Sequence, residues 1–108
     1  IRDRIVEAWA QSESYALSIY HTASKMLAGG SIGSESSLGK IFWSELDHMM
    51  HQTALKILGA SAELSNSSEH DAAQWIKGFM FSYGGPIYAG TNEIQKNIIA
   101  ERLLGLPK

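Results

Sequence analysis

The sequence predicts an all-α fold, an antiparallel up-and-down helical bundle. Apolar and small residues recur at alternating steps of three and four over long stretches, as one face of a helix requires. No stretch of useful length alternates apolar and polar residues as a half-buried strand would. Glycine-, serine- and proline-rich breaks separate the periodic stretches, and such breaks suit short connections between antiparallel helices.

The first helix is predicted from about Arg2 to Leu27. Ile5, Trp9, Ser12, Ala16, Ile19, Ala23 and Met26 form its seam, and the small Ala16 and Ala23 let a neighbour approach. Gly29-Gly30 stops it, because glycine takes the left-handed conformation a helix end needs. Ser31 to Ser37 reads as a polar loop in which Ser36 or Ser37 can cap the next helix. That helix runs from about Leu38 to Leu58. Leu38, Ile41, Phe42, Leu46, Met49, Ile57 and Leu58 make its apolar side, and Gly59 ends it. Ala60 to Ser68 is serine-rich and reads as an exposed loop.

A shorter helix follows over about Asp71 to Ser82, with Trp75 and Phe79 one turn apart. Gly84-Gly85-Pro86 breaks it, since proline lacks an N–H and glycine is costly inside a helix. Ile87 to Gly90 reads as extended. The last helix is predicted from about Thr91 to Leu104, with Gly105 and Pro107 as stop and exit signals.

A chain of 108 residues suits one small domain, large enough to bury a core with little margin. The hydrophobic fraction of 44% is too high for a disordered chain. A net charge of −2 with 19% charged residues gives no basic surplus and no like-charge run, which disfavours nucleic-acid binding. The absence of cysteine excludes disulfides, thiolate metal sites and a cysteine nucleophile. No apolar run approaches the roughly 20 residues of a membrane helix, so no membrane insertion is expected. The start, Ile1-Arg2-Asp3-Arg4, lacks an initiator methionine and a signal-peptide pattern and reads as the middle of a helix. Residues 1–108 are therefore expected to be one domain of a longer protein.

One stretch carries chemistry. Gly90-Thr91 opens a helix whose free N–H groups and positive dipole end favour an anion. Gly90 lets a ligand approach the backbone, and Thr91 adds a hydroxyl. Around them runs Ile87-Tyr88-Ala89-Gly90-Thr91-Asn92-Glu93-Ile94-Gln95-Lys96-Asn97-Ile98-Ile99-Ala100-Glu101-Arg102-Leu103-Leu104-Gly105. It resembles the C-terminal signature of the acyl-CoA dehydrogenase family, I-Y-E-G-T-x-E-I-Q-x-x-I-I-A-x-x-x-L-G, at nearly every position. Upstream, a lysine-containing helix ending in Ile57-Leu58-Gly59 is similar to the same family.

The resemblance implies a C-terminal helical bundle that contacts FAD and takes part in oligomerisation. Thr91, Asn92 and Glu93 match residues that meet FAD near its phosphates, with Gly90 beside them. A carboxylate cannot donate to a phosphate, so Glu93 is expected to meet a hydroxyl or to cap the helix from its third position. Lys56, Gly59 and Ala60 match a turn that touches FAD, usually that of the partner subunit; Ala60 replaces a second glycine. Tyr88 and Ala89 match the lining of the acyl pocket.

The departure is Ala89. Many family members carry there the glutamate that removes the α-proton of the acyl-CoA, and a methyl group cannot act as a base. Some members supply the glutamate from an earlier helix; others pair a base-less subunit with a catalytic partner. The resemblance thus implies FAD-dependent α,β-dehydrogenation of an acyl-CoA thioester, as in fatty-acid β-oxidation, with the base supplied upstream of Ile1. The alternative is a non-catalytic FAD-site and assembly subunit of a hetero-oligomer. Either way it implies an acyl-CoA substrate, a homo- or hetero-oligomer (dimer or tetramer), a separate electron acceptor, and the cytoplasm of a bacterium or the mitochondrial matrix of a eukaryote.

Other motifs favour plainer readings. Glu45-x-x-His48 is half of a di-iron pattern, which needs a second copy and two further glutamates; none is present, and no metal is expected. His48 and His51 supply two ligands, which do not make a site. His21 and His70 read as surface residues. Trp9, Trp43 and Trp75 read as core or subunit-interface residues, and Arg102 as a structural cation.

Overall fold

The computed structural model describes residues 1–63 and 70–108, and of His70 and Asp71 the backbone alone. The 64–68 part of the expected serine loop and the surface position of the His70 side chain lie outside the described residues. The described residues are all helical or irregular, without strands: α1 (Arg2–Leu27), α2 (Ser36–Leu58), α3 (His70–Ser82) and α4 (Asn92–Ile98), with a 3₁₀ turn at Gly59–Glu63 and a π turn at Ile99–Leu103. Helix α2 is the hub, packing against α1, α3 and α4.

The contacts at that hub are small and polar rather than large and apolar. Ser37, Ser44, Thr53, Ser82 and Asn92 are buried, and among the described apolar side chains only Leu46 and Ala72 are. Serine fits here because its hydroxyl bonds back to its own helix: Ser44 donates to the Ile41 carbonyl at 2.9 Å and Ser82 to the Phe79 carbonyl at 2.6 Å. A hydroxyl satisfied in this way can be buried without penalty. The gain is closeness. A Cβ on Gly85 would stand 3.3 Å from the Ser44 Cβ, so the turn after α3 lies directly on α2.

Helices α2 and α3 also share a line of aromatic contacts. His48 stacks on Phe79, with ring centroids 5.3 Å apart, and meets the edge of Tyr83 at 4.5 Å. His51 meets Trp75 at 5.5 Å. The protonation pattern of His48 follows from its partners. The single Ser82 hydroxyl proton goes to Phe79, so the His48 Nδ1–H donates to Ser82 Oγ at 2.8 Å. His48 Nε2 then accepts from the Gln52 amide at 2.9 Å. Both ring nitrogens are committed to the protein.

Helix α1 touches α2 along one edge, where Tyr15 stacks on Phe42 at 5.8 Å and Ser12 reaches Met50. The expected seam is rotated from this edge. Ser12 and Ala16 are half-buried, whereas Ile5, Ile19 and Met26 are exposed and Trp9 is 66% exposed. Trp9 is not a core residue of this chain. The radius of gyration is 17.1 Å with extents of 50 × 30 × 23 Å, against about 13 Å for a closed domain of this length.

Three local expectations are corrected. Helix α2 starts at Ser36, with Glu35 at the cap position and no side-chain cap; Ser36 Oγ instead donates to the Gly33 carbonyl and Ser37 is buried in the contact. Ile87–Gly90 is coiled rather than extended, because the Ile87 and Tyr88 N–H groups both turn back to the Gly84 carbonyl. The last helix changes character at Ile99, where the Leu104 N–H bonds the Ile99 carbonyl at 3.0 Å, five residues back.

Candidate functional site

The site grows from the turn between α3 and α4. Tyr83 to Ala89 wind back on Gly84, and the chain then reverses through two left-handed residues, Ala89 (φ +55) and Gly90 (φ +86). For glycine this conformation is free; for alanine it is strained. Two bonds hold it. Gln95 Nε2 donates to the Ala89 carbonyl at 3.1 Å, and the Asn92 N–H donates to the Pro86 carbonyl at 2.9 Å. Thr91 then caps α4, its hydroxyl oxygen accepting from the Ile94 N–H at 3.3 Å.

The residues singled out from sequence divide into two groups. Tyr88, Ala89, Gly90, Thr91 and Glu93 lie together on the accessible side of the turn. The Tyr88 ring leans on Trp43 of α2 at 6.0 Å. Asn92 is the exception within this group: it is 5% exposed and its amide points into α2, where Lys40 and Ser44 hold it. Lys56, Gly59 and Ala60 form the second group, at the opposite end of α2. Ser44, beneath Asn92, and Gly59 are 15 residues apart along the same helix, or about 22 Å. One chain therefore presents two separate edges. Gly59 is left-handed with φ +56 and open on its Cβ side.

The start of α4 is not the open anion site expected from sequence. The Asn92, Ile94 and Gln95 N–H groups are bonded to Pro86, Thr91 Oγ1 and the Thr91 carbonyl. The Glu93 carboxylate takes its own N–H, and that bond, then the Thr91 hydroxyl, holds its carboxyl below the ordinary value. Glu93 stands at the second helical position, not the third, and supplies negative charge where a phosphate was expected. Its carboxylate and the Thr91 hydroxyl suit hydroxyl groups of a ligand.

Sequence reasoning missed Lys40, Ser44 and Gln95. Lys40 and Ser44 stand one turn apart on α2, a spacing that places both on one helix face, but nothing in sequence ties that face to Asn92, 48 residues from Ser44. Among the described residues, no group of three or more His, Asp or Glu side chains is placed to hold a metal ion.

Residues 1–104 match the sequence pattern of the acyl-CoA dehydrogenase C-terminal domain. The chain belongs to the acyl-CoA dehydrogenase family. The chain is also 32% identical, over its whole length, to acyl-CoA dehydrogenase IpdE1 of Mycolicibacterium smegmatis and to that of Mycobacterium tuberculosis. It spans 26% and 27% of the length of those two relatives. No solved structure matches it. The accessible turn thus falls within the family's C-terminal domain, with Ala89 just ahead of Gly90-Thr91. No described helix is long and apolar enough to cross a membrane.

Proposed function

We propose that the chain is the C-terminal helical domain of an FAD-dependent acyl-CoA dehydrogenase, which oxidises an acyl-CoA thioester between its α and β carbons. The observation that carries this reading is the turn at Tyr88–Glu93. Its backbone is accessible at Gly90, its hydroxyl and carboxylate face outward, and it is fixed from below by Asn92. These residues fit the hydroxyl-bearing part of a flavin dinucleotide better than its phosphates. Gly90, Thr91 and Glu93 would hold FAD there, and Asn92 would hold them. Lys56, Gly59 and Ala60, about 22 Å away along α2, would serve a second cofactor, that of a neighbouring subunit in a dimer or tetramer. When bound, FAD supplies the acceptor for the hydride from the β carbon and passes its electrons to an external acceptor.

The proton on the α carbon needs a base, and Ala89 cannot be it. On this reading a carboxylate from a segment preceding Ile1 reaches the same point. Tyr88 and Ala89 would then border the acyl chain. The small Ala89 side chain leaves room for a branched or bulky acyl group.

Ala89 also favours a second reading, in which the chain completes the cofactor site of a catalytic partner without itself transferring a proton. One experiment separates the two. The intact protein, purified alone, is examined by visible spectroscopy and then titrated anaerobically with straight, branched and ring-bearing acyl-CoAs. A yellow protein that bleaches establishes a self-sufficient dehydrogenase. A yellow protein that never bleaches alone, but does so with a partner, establishes the assembly subunit. A protein that binds no flavin under any condition refutes both.

A further inference from the structure

Lys40 makes an uncommon use of a cation. Its ammonium donates to Asn92 Oδ1 at 2.8 Å. Among the described residues the ion pairs are Lys25–Glu35, His51–Asp47 and Lys108–Glu101, so Lys40 is bound to a neutral amide and to no carboxylate. The Asn92 amide is desolvated: Asn92 is 5% exposed and Ser44, which accepts from its Nδ2 at 3.1 Å, is fully buried. The Ser44 hydroxyl proton has two acceptors within reach, the Ile41 carbonyl at 2.9 Å and Asn92 Oδ1 at 3.2 Å. An ammonium can only donate, so Lys40 decides which end of the amide faces it and thereby orients the whole side chain. A hydrogen bond from a charged donor is about twice as strong as a neutral one.

Asn92 passes this constraint to the turn. Its backbone N–H closes on the Pro86 carbonyl at 2.9 Å. With the side chain pinned on α2 and the N–H pinned on the turn, its neighbours Thr91 and Glu93 are left on the accessible side. Lys40 itself lies within the contact, half-buried, and its charge also acts on the exposed Glu93 carboxylate.

The geometry points to Lys40 as the positioning residue of the Gly90–Glu93 segment: through Asn92 Oδ1 it turns the Asn92 side chain inward and so presents Thr91 and Glu93 together to the ligand. The consequence for FAD rests on the function proposed above; the positioning itself does not.

The test uses the intact protein with Lys40→Met, Lys40→Arg, Asn92→Ala and Asn92→Asp. Two quantities are read, hydrogen exchange of the Asn92 amide and the dissociation constant of FAD from flavin fluorescence. Lys40→Met and Asn92→Ala remove the charged bond and are expected to speed Asn92 exchange and weaken FAD binding, each about tenfold or more. Lys40→Arg keeps a cationic donor and Asn92→Asp keeps the acceptor; each is expected to stay within about threefold of wild type, a rescue that loss of packing alone does not predict. If Lys40→Met fails to fold, the Arg and Asp variants decide. Loss of FAD affinity in both, with unchanged melting, overturns the proposal. Unchanged Asn92 exchange in Lys40→Met also overturns it. A wild-type protein that binds no FAD refutes the cofactor reading, and the exchange measurement then judges Lys40 by itself.

Discussion

Replacing Ala89 by glycine tests the geometry of the turn at its most strained point. Ala89 has φ +55, where an L-residue costs about 1–2 kcal/mol relative to its right-handed conformation. Glycine removes that cost but adds freedom to the unfolded chain, which returns about 0.4–1 kcal/mol. The net expectation is a local stabilisation of about 0.5–1 kcal/mol, a factor of roughly two to five in the opening equilibrium. Whole-protein melting would blur so local a change. The Tyr88 and Asn92 amides do not, because they close on Gly84 and Pro86 from either side of Ala89, at 3.0 and 2.9 Å. Their hydrogen exchange is expected to slow together by about two- to fivefold. Unchanged or faster exchange at both would refute a left-handed Ala89, and with it the outward placement of Gly90 and Thr91.

Further outcomes follow from other contacts. Thr91→Ala removes the acceptor for the Ile94 N–H and is expected to cost about 1 kcal/mol of local stability by exchange at Ile94. It also removes a hydrogen bond to Glu93, so the Glu93 carboxyl is expected to move up toward its ordinary value in a side-chain NMR titration. Ser82→Ala leaves the His48 Nδ1–H without its acceptor and is expected to lower stability by about 1–2 kcal/mol, read as a shifted urea midpoint at unchanged slope. The hydrogen bond from Lys25 holds the Glu35 carboxyl below its ordinary value. The Lys25–Glu35 tie across the α1–α2 loop is therefore fully present above the unfolded carboxyl value and lost as pH falls through the lower folded one. Exchange of the Gly30 and Ser36 amides is expected to become less protected over that acid window, and Glu35→Gln to abolish the pH dependence.

The parts of this fold visible in sequence are those governed by local rules. Gly29, Gly59 and Gly105 have positive φ in the structure, because helix ends select glycine for a conformation that needs no tertiary partner. The Ile87–Gly105 signature is a run of consecutive residues, legible without knowing what lies across from it. The α2 contact is different. Serine in a helix reads as a solvent-facing residue, yet Ser44 and Ser82 are buried because a bond to the preceding turn hides the hydroxyl while the small side chain admits a neighbour. In sequence Asn92 reads like the Thr91 and Glu93 that flank it; a partner 52 residues away, Lys40, holds its side chain against α2. The face of α1 is hidden from sequence for a related reason. Its residues are apolar around much more than one stripe, so periodicity alone does not say which edge α2 takes.

The wide turn at Ile99–Leu103 governs how the chain leaves the domain. By taking the Ile99 carbonyl, the Leu104 N–H leaves the Ala100 carbonyl to the Leu106 N–H, which reaches it at 2.9 Å, and Gly105 supplies the left-handed step with φ +66. That loop holds one residue more than an ordinary helical turn. Deleting a single residue there would let the spiral close at normal pitch and swing everything after it by about 100° around the axis. The heading of Leu106-Pro107-Lys108 thus depends on residue count as well as on the glycine at 105, so a one-residue deletion there would redirect the residues that follow.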